Sequence, residues 1–287
     1  MGSTYNVFIY INDTLQESIE TSEAAYLLNN LQEGVVNNVK VIVDDGNLVF
    51  EPAEISFTTL SGDIYEGDLE FYDQESLDQF GVNNFTSVIG TLNFGLSCAC
   101  EFPINDFNAL NSIIDITGNV YFKLLTGLIY PAPLSGLENV KTIDGDLEII
   151  GFNLGNVFNN LEVINGNVFF NRIIQYDNDP PVLEKLQTIN GKLRFYESAV
   201  ESNINGFYSL NNISNLEIHE TRFQNLDFLS SLSLVESEIS IWWNFSLTDY
   251  CGLEPLIMTG AYGNFNASDN NAYNPSERNM IEGNCSL

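Results

Sequence analysis

The sequence has few basic residues: nine lysines and arginines stand against 39 aspartates and glutamates, for a formal net charge of −30. Nucleic-acid affinity depends on lysine and arginine displacing counterions from phosphates, so a nucleic-acid partner is excluded. An anionic membrane surface is disfavoured for the same reason. The charge is expected to maintain solubility, with cation binding as the alternative.

Long apolar runs are also missing. No segment approaches the roughly 18 uninterrupted apolar residues of a membrane-spanning helix, so no transmembrane segment is expected. The first ten residues, MGSTYNVFIY, contain neither a basic region nor an apolar region typical of a secretory signal. Because MGS resembles a cloning remnant, we expect that a signal peptide or anchor has been removed.

Catalytic motifs are scarce. His219 is the only histidine, so any nucleophile–histidine pair would have to use it. The sequence contains no HExxH motif, no paired CxxC motif and no lysine-bearing phosphate loop. We therefore expect no enzymatic activity, and we interpret His219 as a solvated side chain beside Glu217.

What the sequence does contain is a repeat of about 24 residues, in which a glycine is followed by a polar residue and then by apolar residues that alternate with polar ones. Its copies are GNLVF from Gly46, GDLEF from Gly67, GTLNF from Gly90, GNVYF from Gly118, GDLEI from Gly145, GNVFF from Gly166, GKLRF from Gly191, and the degenerate SNLEI from Ser214 and SEISI from Ser237. Such periodicity is typical of repeats that each bury an apolar face against the next.

Each copy predicts a strand, because alternation of period two buries one face. Leu193 and Phe195 are expected to point inward, whereas Arg194 and Tyr196 point outward. Upstream of the glycine, apolar residues are spaced by three, which favours a turning arc over a long helix. The clearest triplets are Leu110, Ile113 and Ile116, then Leu137, Val140 and Ile143, then Leu183, Leu186 and Ile189. The glycine is expected at a corner, where it allows positive φ or close backbone approach.

The L-x-x-L-x-x-I-x-G-x-L-x-[IF] run resembles the receptor L domain of insulin- and growth-factor-receptor ectodomains, and resembles still more the related bacterial surface proteins that end in a cap like residues 247–286. The resemblance covers roughly residues 35–287. It implies a mainly β fold: a right-handed parallel β-helix, a leucine-rich solenoid, of about nine coils with an N-terminal helical cap. The expected organisation is one domain, with an N-terminal cap of strand plus helix at 1–37, repeats at 38–246 and a C-terminal cap at 247–287.

The four cysteines fall into two pairs along the sequence. Cys251 and Cys285 bracket the terminal segment, so a disulfide that closes the cap is predicted. Cys98 and Cys100 are too close for a relaxed bridge; a strained bridge and a metal site remain open for them. Disulfides would imply an oxidising compartment, and we expect an extracellular or cell-surface location.

The outward face of the strands is the predicted ligand-binding surface. Aromatic side chains aligned on a sheet and interspersed with charges are typical of protein or carbohydrate recognition, while cross-strand packing is the alternative. The candidate residues are Tyr72, Tyr121, Phe169, Arg194, Tyr196 and Trp242.

Two groups of acidic residues are candidates for metal binding and for catalysis. Asp177 and Asp179, in the YDNDPPVL loop, offer oxygen ligands to Ca²⁺, although an ordinary turn explains them as well. Asp144, Asp146 and Glu148 could supply the paired carboxylates of a glycoside-cleaving enzyme. Apart from that calcium candidate, no cofactor or metal is expected.

The functional prediction is a non-catalytic, exported recognition or adhesion module of the cell surface that binds a protein or glycan through its aromatic face. The alternatives are a carbohydrate-active β-helix enzyme and a structural spacer or assembly subunit. The oligomeric state stays open.

Overall fold

The structure is a computed structural model that describes residues 5–21, 28, 31, 35–58, 63–96, 104, 106–124, 130–176, 179–198, 204–270 and 273–287. The chain divides into two compact units, Met1–Gly62 and Asp63–Leu287. The domain boundaries expected after residues 37 and 246 stay predictions.

The first unit contains an antiparallel sheet of four described strands, in the order β2-β1-β3-β4. The strands are β1 (Tyr5–Ile11), β2 (Thr14–Thr21), β3 (Val36–Asp44) and β4 (Ala53–Thr58). Asn12 and Asp13 join β1 to β2 with φ values of 49° and 63°, a conformation that asparagine and aspartate tolerate and that suits a tight hairpin. The predicted N-terminal strand is therefore present, whereas most of the predicted cap helix falls on residues outside the described ranges.

The first copy of the repeat, GNLVF from Gly46, does not form a parallel strand. It lies in the connection between β3 and β4, where Asp44 and Val49 form an antiparallel bridge. Asp45 Oδ1 accepts hydrogen bonds from the backbone of Asn47 and Leu48 and thereby holds a turn. The copy matches the others in sequence but itself contains a short turn, and a short turn returns the chain antiparallel to the strand before it.

The second unit is built around parallel strands. Its strands are β5 (Ile64–Glu66), β6 (Leu69–Phe71), β7 (Ser87–Ile89), β8 (Leu92–Leu96), β9 (Asp115–Ile116), β10 (Val120–Leu124), β11 (Tyr130–Pro133), β12 (Thr142–Ile143), β13 (Leu147–Ile150), β14 (Phe152–Asn153), β15 (Val163–Ile164), β16 (Val168–Asn171), β17 (Thr188–Tyr196), β18 (Asn212–His219), β19 (Leu234–Trp242) and β20 (Tyr262–Ser268). Its helices are α1 (Gln74–Gly81), α2 (Glu254–Thr259) and α3 (Glu277–Ile281), with 3₁₀ turns at Asn108–Leu110, Asp227–Leu229 and Cys251–Leu253.

Successive repeats pair in parallel and in register. Leu147 lies beside Val168, which lies beside Leu193, and all three side chains are at most 1% exposed. The predicted alternation is therefore confirmed for these strands. The phenylalanines two positions further on stack between repeats, with ring centroids 4.5 Å apart for Phe94 and Phe122. The upstream triplets spaced by three are buried as well, so the arcs and the strands share one apolar core.

The predicted right-handed parallel β-helix, or leucine-rich solenoid, of about nine coils is wrong. The main sheet is open and flat: its path of 11 strands ends at β5 and at β6, and no pairing among the described residues joins these ends. β17 pairs with both β15 and β16, and β18, β19 and β20 continue from it. A repeat period specifies which strands are neighbours, but closure depends on the connections between strands, which the period does not specify.

The corner glycines allow neighbouring repeats to approach closely. The backbone amide of Gly166 donates to Gly145 O at 3.1 Å, and that of Gly191 donates to Gly166 O at 3.1 Å. A Cβ atom at Gly166 would overlap the carbonyl group of Gly145. The residue after each glycine adds a second link, since Asp146 Oδ1 accepts from the backbone of Asn167 at 2.6 Å. This close approach explains the recurring glycine followed by aspartate or asparagine.

The C-terminal segment is tied to the preceding repeat. Cys251 and Cys285 lie at disulfide distance, with Cα atoms 4.9 Å apart, as predicted for the cap. Tyr250 N donates to Cys285 O at 2.9 Å, and Ser276 caps α3. Cys98 and Cys100 lie outside the described residues. None of the helices in the described ranges has the length and apolar composition of a membrane-spanning segment.

Candidate recognition surface

The outward positions of the second unit form one surface, which we call the outer strand face. Because the strands pair in register, outward residues of successive strands lie side by side in two adjacent columns. One column contains Tyr121, Glu148, Phe169, Arg194, Glu217 and Ser240; the other contains Lys123, Ile150, Asn171, Tyr196, His219 and Trp242.

Tyr121, Lys123 and Glu148 form the first group on this face. Lys123 Nζ lies 3.9 Å from the centroid of the Tyr121 ring and 2.5 Å from Glu148 Oε2. Burial, together with the nearby charges of Asp146 and Glu148, raises the pKa of Tyr121. The lysine charge is thus shared between a ring and a carboxylate.

Arg194 is at the centre of the second group. Its guanidinium carbon lies 5.1 Å from the Phe169 ring centroid and 5.5 Å from that of Tyr196. Arg194 Nε is 2.8 Å from one oxygen of Glu217, and Lys192 Nζ is 2.8 Å from the other. One carboxylate therefore serves two cations, and two rings hold the guanidinium in place.

His219 is at the centre of the third group, which is aromatic. Its ring lies 5.0 Å from that of Tyr196, 4.6 Å from that of Trp242 and 5.2 Å from that of Trp243. The side chain is only 13% exposed, so the expectation of a solvated imidazole is wrong. Its two buried ring nitrogens have no hydrogen-bond partner among the described residues, although Nε2 lies 3.4 Å from Glu220 Oε1.

A corner follows each of these strands, and it adds further side chains to the surface. The first residue after the strand has a positive φ in six repeats: Gly151, Arg172, Glu197, Glu220, Trp243 and Asp269. The next position then turns inward and is buried in four repeats that carry a polar residue there, namely Ser198, Thr221, Asn244 and Asn270.

Asn244 shows how this corner is held. Its side chain accepts from Thr221 N at 2.9 Å and donates to Ile218 O and to Asn270 Oδ1, each at 2.9 Å. A fully buried amide with this many partners rigidifies the chain around it. Trp243, directly before it, is consequently presented at 46% exposure.

The structure brings most of the predicted ligand-binding residues together. Tyr121, Phe169, Arg194, Tyr196 and Trp242 all lie on the outer strand face. Tyr72 does not belong to these groups: it follows β6, is 57% exposed and donates a hydrogen bond to Glu70.

Sequence reasoning did not identify Glu197, Glu220 and Trp243 as surface residues of interest. Together with Tyr196, these three residues form what we call the corner cluster. Their side-chain directions depend on a left-handed backbone conformation that bulky residues rarely adopt. The consecutive tryptophans in IWWNF were the available signal, because in a strand that continued past Trp242 one of the two would have pointed into the core.

The acidic candidates for catalysis and calcium binding already have hydrogen-bond partners in this chain. Asp144 Oδ1 accepts from Asn165 Nδ2 at 2.7 Å, and Asp146 accepts from the backbone of the next repeat. Asp179 Oδ2 accepts from Tyr176 N at 2.7 Å, which is the bonding of a turn. Asp177 lies outside the described residues, and among those described no three or more His, Cys, Asp or Glu side chains form a metal-binding group.

Comparisons of this chain with protein-family models, with curated proteins and with solved structures give no match.

Proposed function

We propose that this chain is a non-catalytic recognition module, exported to the cell surface or beyond it, that binds a protein or glycan through the outer strand face. The observation that carries the proposal is the register of that face, which places rings and paired charges beside one another over successive strands. Rings supply contact area, and charges supply directional hydrogen bonds.

Rigidity supports the proposal. The inward neighbours of these side chains, such as Phe122, Phe170 and Phe195, are fully buried. Binding groups on a rigid support lose little conformational entropy when a ligand docks. The disulfide between Cys251 and Cys285 is compatible with the oxidising compartment that export implies.

The use of the acidic side chains favours recognition over catalysis. A glycoside-cleaving pair needs one carboxyl group that gives a proton and another that attacks or activates water. Asp144, Asp146 and Glu148 are instead engaged with Asn165, Asn167 and Lys123. These contacts satisfy the carboxylates within the sheet.

The test uses the double variant Tyr196→Ala/Trp242→Ala of the full chain, screened with the wild type on glycan and protein arrays. Ligands of the wild type are expected to be lost by the double variant, whose melting temperature and circular dichroism should show that the sheet is intact. Tyr208→Ala is the matched control, because Tyr208 is 51% exposed and lies outside the face. Unchanged binding by the double variant would remove the face as the site.

A further inference from the structure

We propose that the corner cluster, Tyr196, Glu197, Glu220 and Trp243, binds a lysine or arginine side chain of a partner protein. This inference rests on the proposed recognition function and specifies the partner's chemistry. The same surface carries two kinds of carboxylate, one neutralised by cations of this chain and one not.

Two glutamates of the outer strand face are neutralised. Glu148 has Lys123 at 2.5 Å, and Glu217 has both Lys192 and Arg194 at 2.8 Å. A partner cation would have to displace a lysine or arginine of this chain to reach either carboxylate.

The two glutamates of the corner cluster are not neutralised in this way. Within the described part of the chain, neither Glu197 nor Glu220 has a lysine or arginine at ion-pair distance. The ion-pair contact of Glu220 is His219 Nε2 at 3.4 Å, which carries charge only when protonated. These two carboxylates therefore keep the capacity to bind an incoming cation.

The two glutamates also lie at corners of neighbouring repeats. Glu197 N donates to His219 O at 3.2 Å and Glu220 N donates to Trp242 O at 3.4 Å, so the corners of neighbouring repeats lie against each other. The hydrogen bond to Glu197, then burial and the charges of Glu197 and Glu220, raise the pKa of Tyr196. The Tyr196 phenol is thus influenced by both glutamate charges.

Trp243 adds an aromatic surface to these charges. It follows β19 at the corner position equivalent to Glu220 in the preceding repeat, and almost half of its surface is exposed. The indole face is the strongest aromatic partner for a cation. Because Glu220 N donates to Trp242 O, the corners that carry Glu220 and Trp243 are neighbours and offer a cation both carboxylate oxygens and π-electron density.

The charge of the whole chain selects the same class of partner. A formal net charge of −30 attracts a basic segment from a distance and repels an acidic one. A neutral glycan would gain nothing from this field. A protein segment that carries lysine or arginine fits both the local chemistry and the long-range field.

The experiment uses arrays of extended peptides that each contain one lysine or one arginine, with acetyl-lysine at the same position as the matched probe. The wild-type full chain is expected to bind a subset of the lysine or arginine peptides and to lose the lysine peptides on acetylation. Binding should also weaken between about 50 mM and about 500 mM NaCl, because salt screens the charges.

The test variants are Glu197→Gln/Glu220→Gln, which keeps the side-chain shapes, and Trp243→Ala. Each is expected to lose about tenfold or more in affinity for these peptides. Glu238→Gln is the control, because Glu238 is an exposed glutamate of β19 outside the cluster. If Trp243→Ala fails to fold, the glutamine double variant still tests whether the two carboxylates bind the basic side chain.

Two results would overturn the inference: no lysine or arginine peptide is bound, or the glutamine double variant binds such peptides as well as the wild type does. A different outcome is that the glutamine double variant still binds a glycan or uncharged ligand, whereas Tyr196→Ala/Trp242→Ala does not. That result would support the proposed function and contradict the basic partner. Loss of neither ligand class in any of these variants would remove both proposals.

Discussion

Tyr262, at the start of β20, illustrates how one side chain couples the last parallel strand to the C-terminal segment. Its hydroxyl donates to Glu277 Oε1 at 2.5 Å. Burial of the ring and this hydrogen bond raise the pKa of Tyr262 to about 12. The un-ionised phenol is therefore favoured in the folded state, because ionisation would place two negative charges together.

Ionisation of Tyr262 predicts a loss of stability in alkali. A group whose pKa is raised by folding stabilises fully below its unfolded-state pKa, about 10 for tyrosine, and this stabilisation disappears as the pH rises through about 12. Tyr262→Phe should therefore have a free energy of unfolding that falls less steeply between about pH 10 and about pH 12 than that of the wild type. Urea denaturation at several pH values measures both slopes, and equal slopes would contradict the assignment.

At the scale of the structural element, the repeated glycines link the strands into one sheet. Gly145, Gly166 and Gly191 donate in turn to the carbonyl of the preceding glycine. None of these three has a positive φ. The glycine is required because the neighbouring backbone occupies the space that a side chain would fill.

Gly166→Ala is accordingly expected to destabilise the chain by about 1–3 kcal/mol, the usual cost of overpacking a close contact. Gly95→Ala is the matched control, because Gly95 lies on β8 of the same sheet and a Cβ there would meet only Asn93 Oδ1 at 3.3 Å. Urea denaturation of both variants checks the difference. A loss of the same size in the control would show that close approach of the neighbouring backbone is not the cause.

At the scale of the whole molecule, charge is the dominant feature. The nine lysines and arginines cannot pair with all 39 aspartates and glutamates, so like charges repel one another across the folded surface. Self-repulsion of this kind destabilises a compact state, and added salt screens it.

The melting temperature should therefore rise by a few degrees when NaCl is increased from about 10 mM to about 500 mM. Differential scanning calorimetry measures the shift, and sucrose, which does not screen charge, separates screening from general stabilisation. A melting temperature that is independent of salt would mean that the acidic groups lie too far apart to interact. The same increase in salt is expected to weaken the binding of a basic ligand, because it screens the attraction between opposite charges. Melting temperature and affinity should therefore change in opposite directions.

The local sequence pattern was sufficient to predict the inward positions, the outward positions and the strand register of much of the second unit. Alternation identified Leu147, Val168 and Leu193 as inward positions, and equal spacing from the corner glycine predicted that they lie side by side. The same count placed Tyr121, Phe169 and Tyr196 outward. Such predictions succeed because strand period and parallel register depend on residues close in sequence and on identical repeats.

Other features depended on neighbours far apart in the chain. GNLVF from Gly46 has the same pattern as its copies, yet it lies in an antiparallel hairpin, because a pattern of buried and exposed positions does not specify the direction of its partner strand. The open sheet, the positive φ of Glu220 and Trp243, and the choice of Glu217 over Glu220 as the partner of Arg194 likewise arise only when repeats about 24 residues apart are brought together. Composition and period thus specify strands, faces and charge, whereas contacts between repeats decide which carboxylates and rings remain available to a ligand.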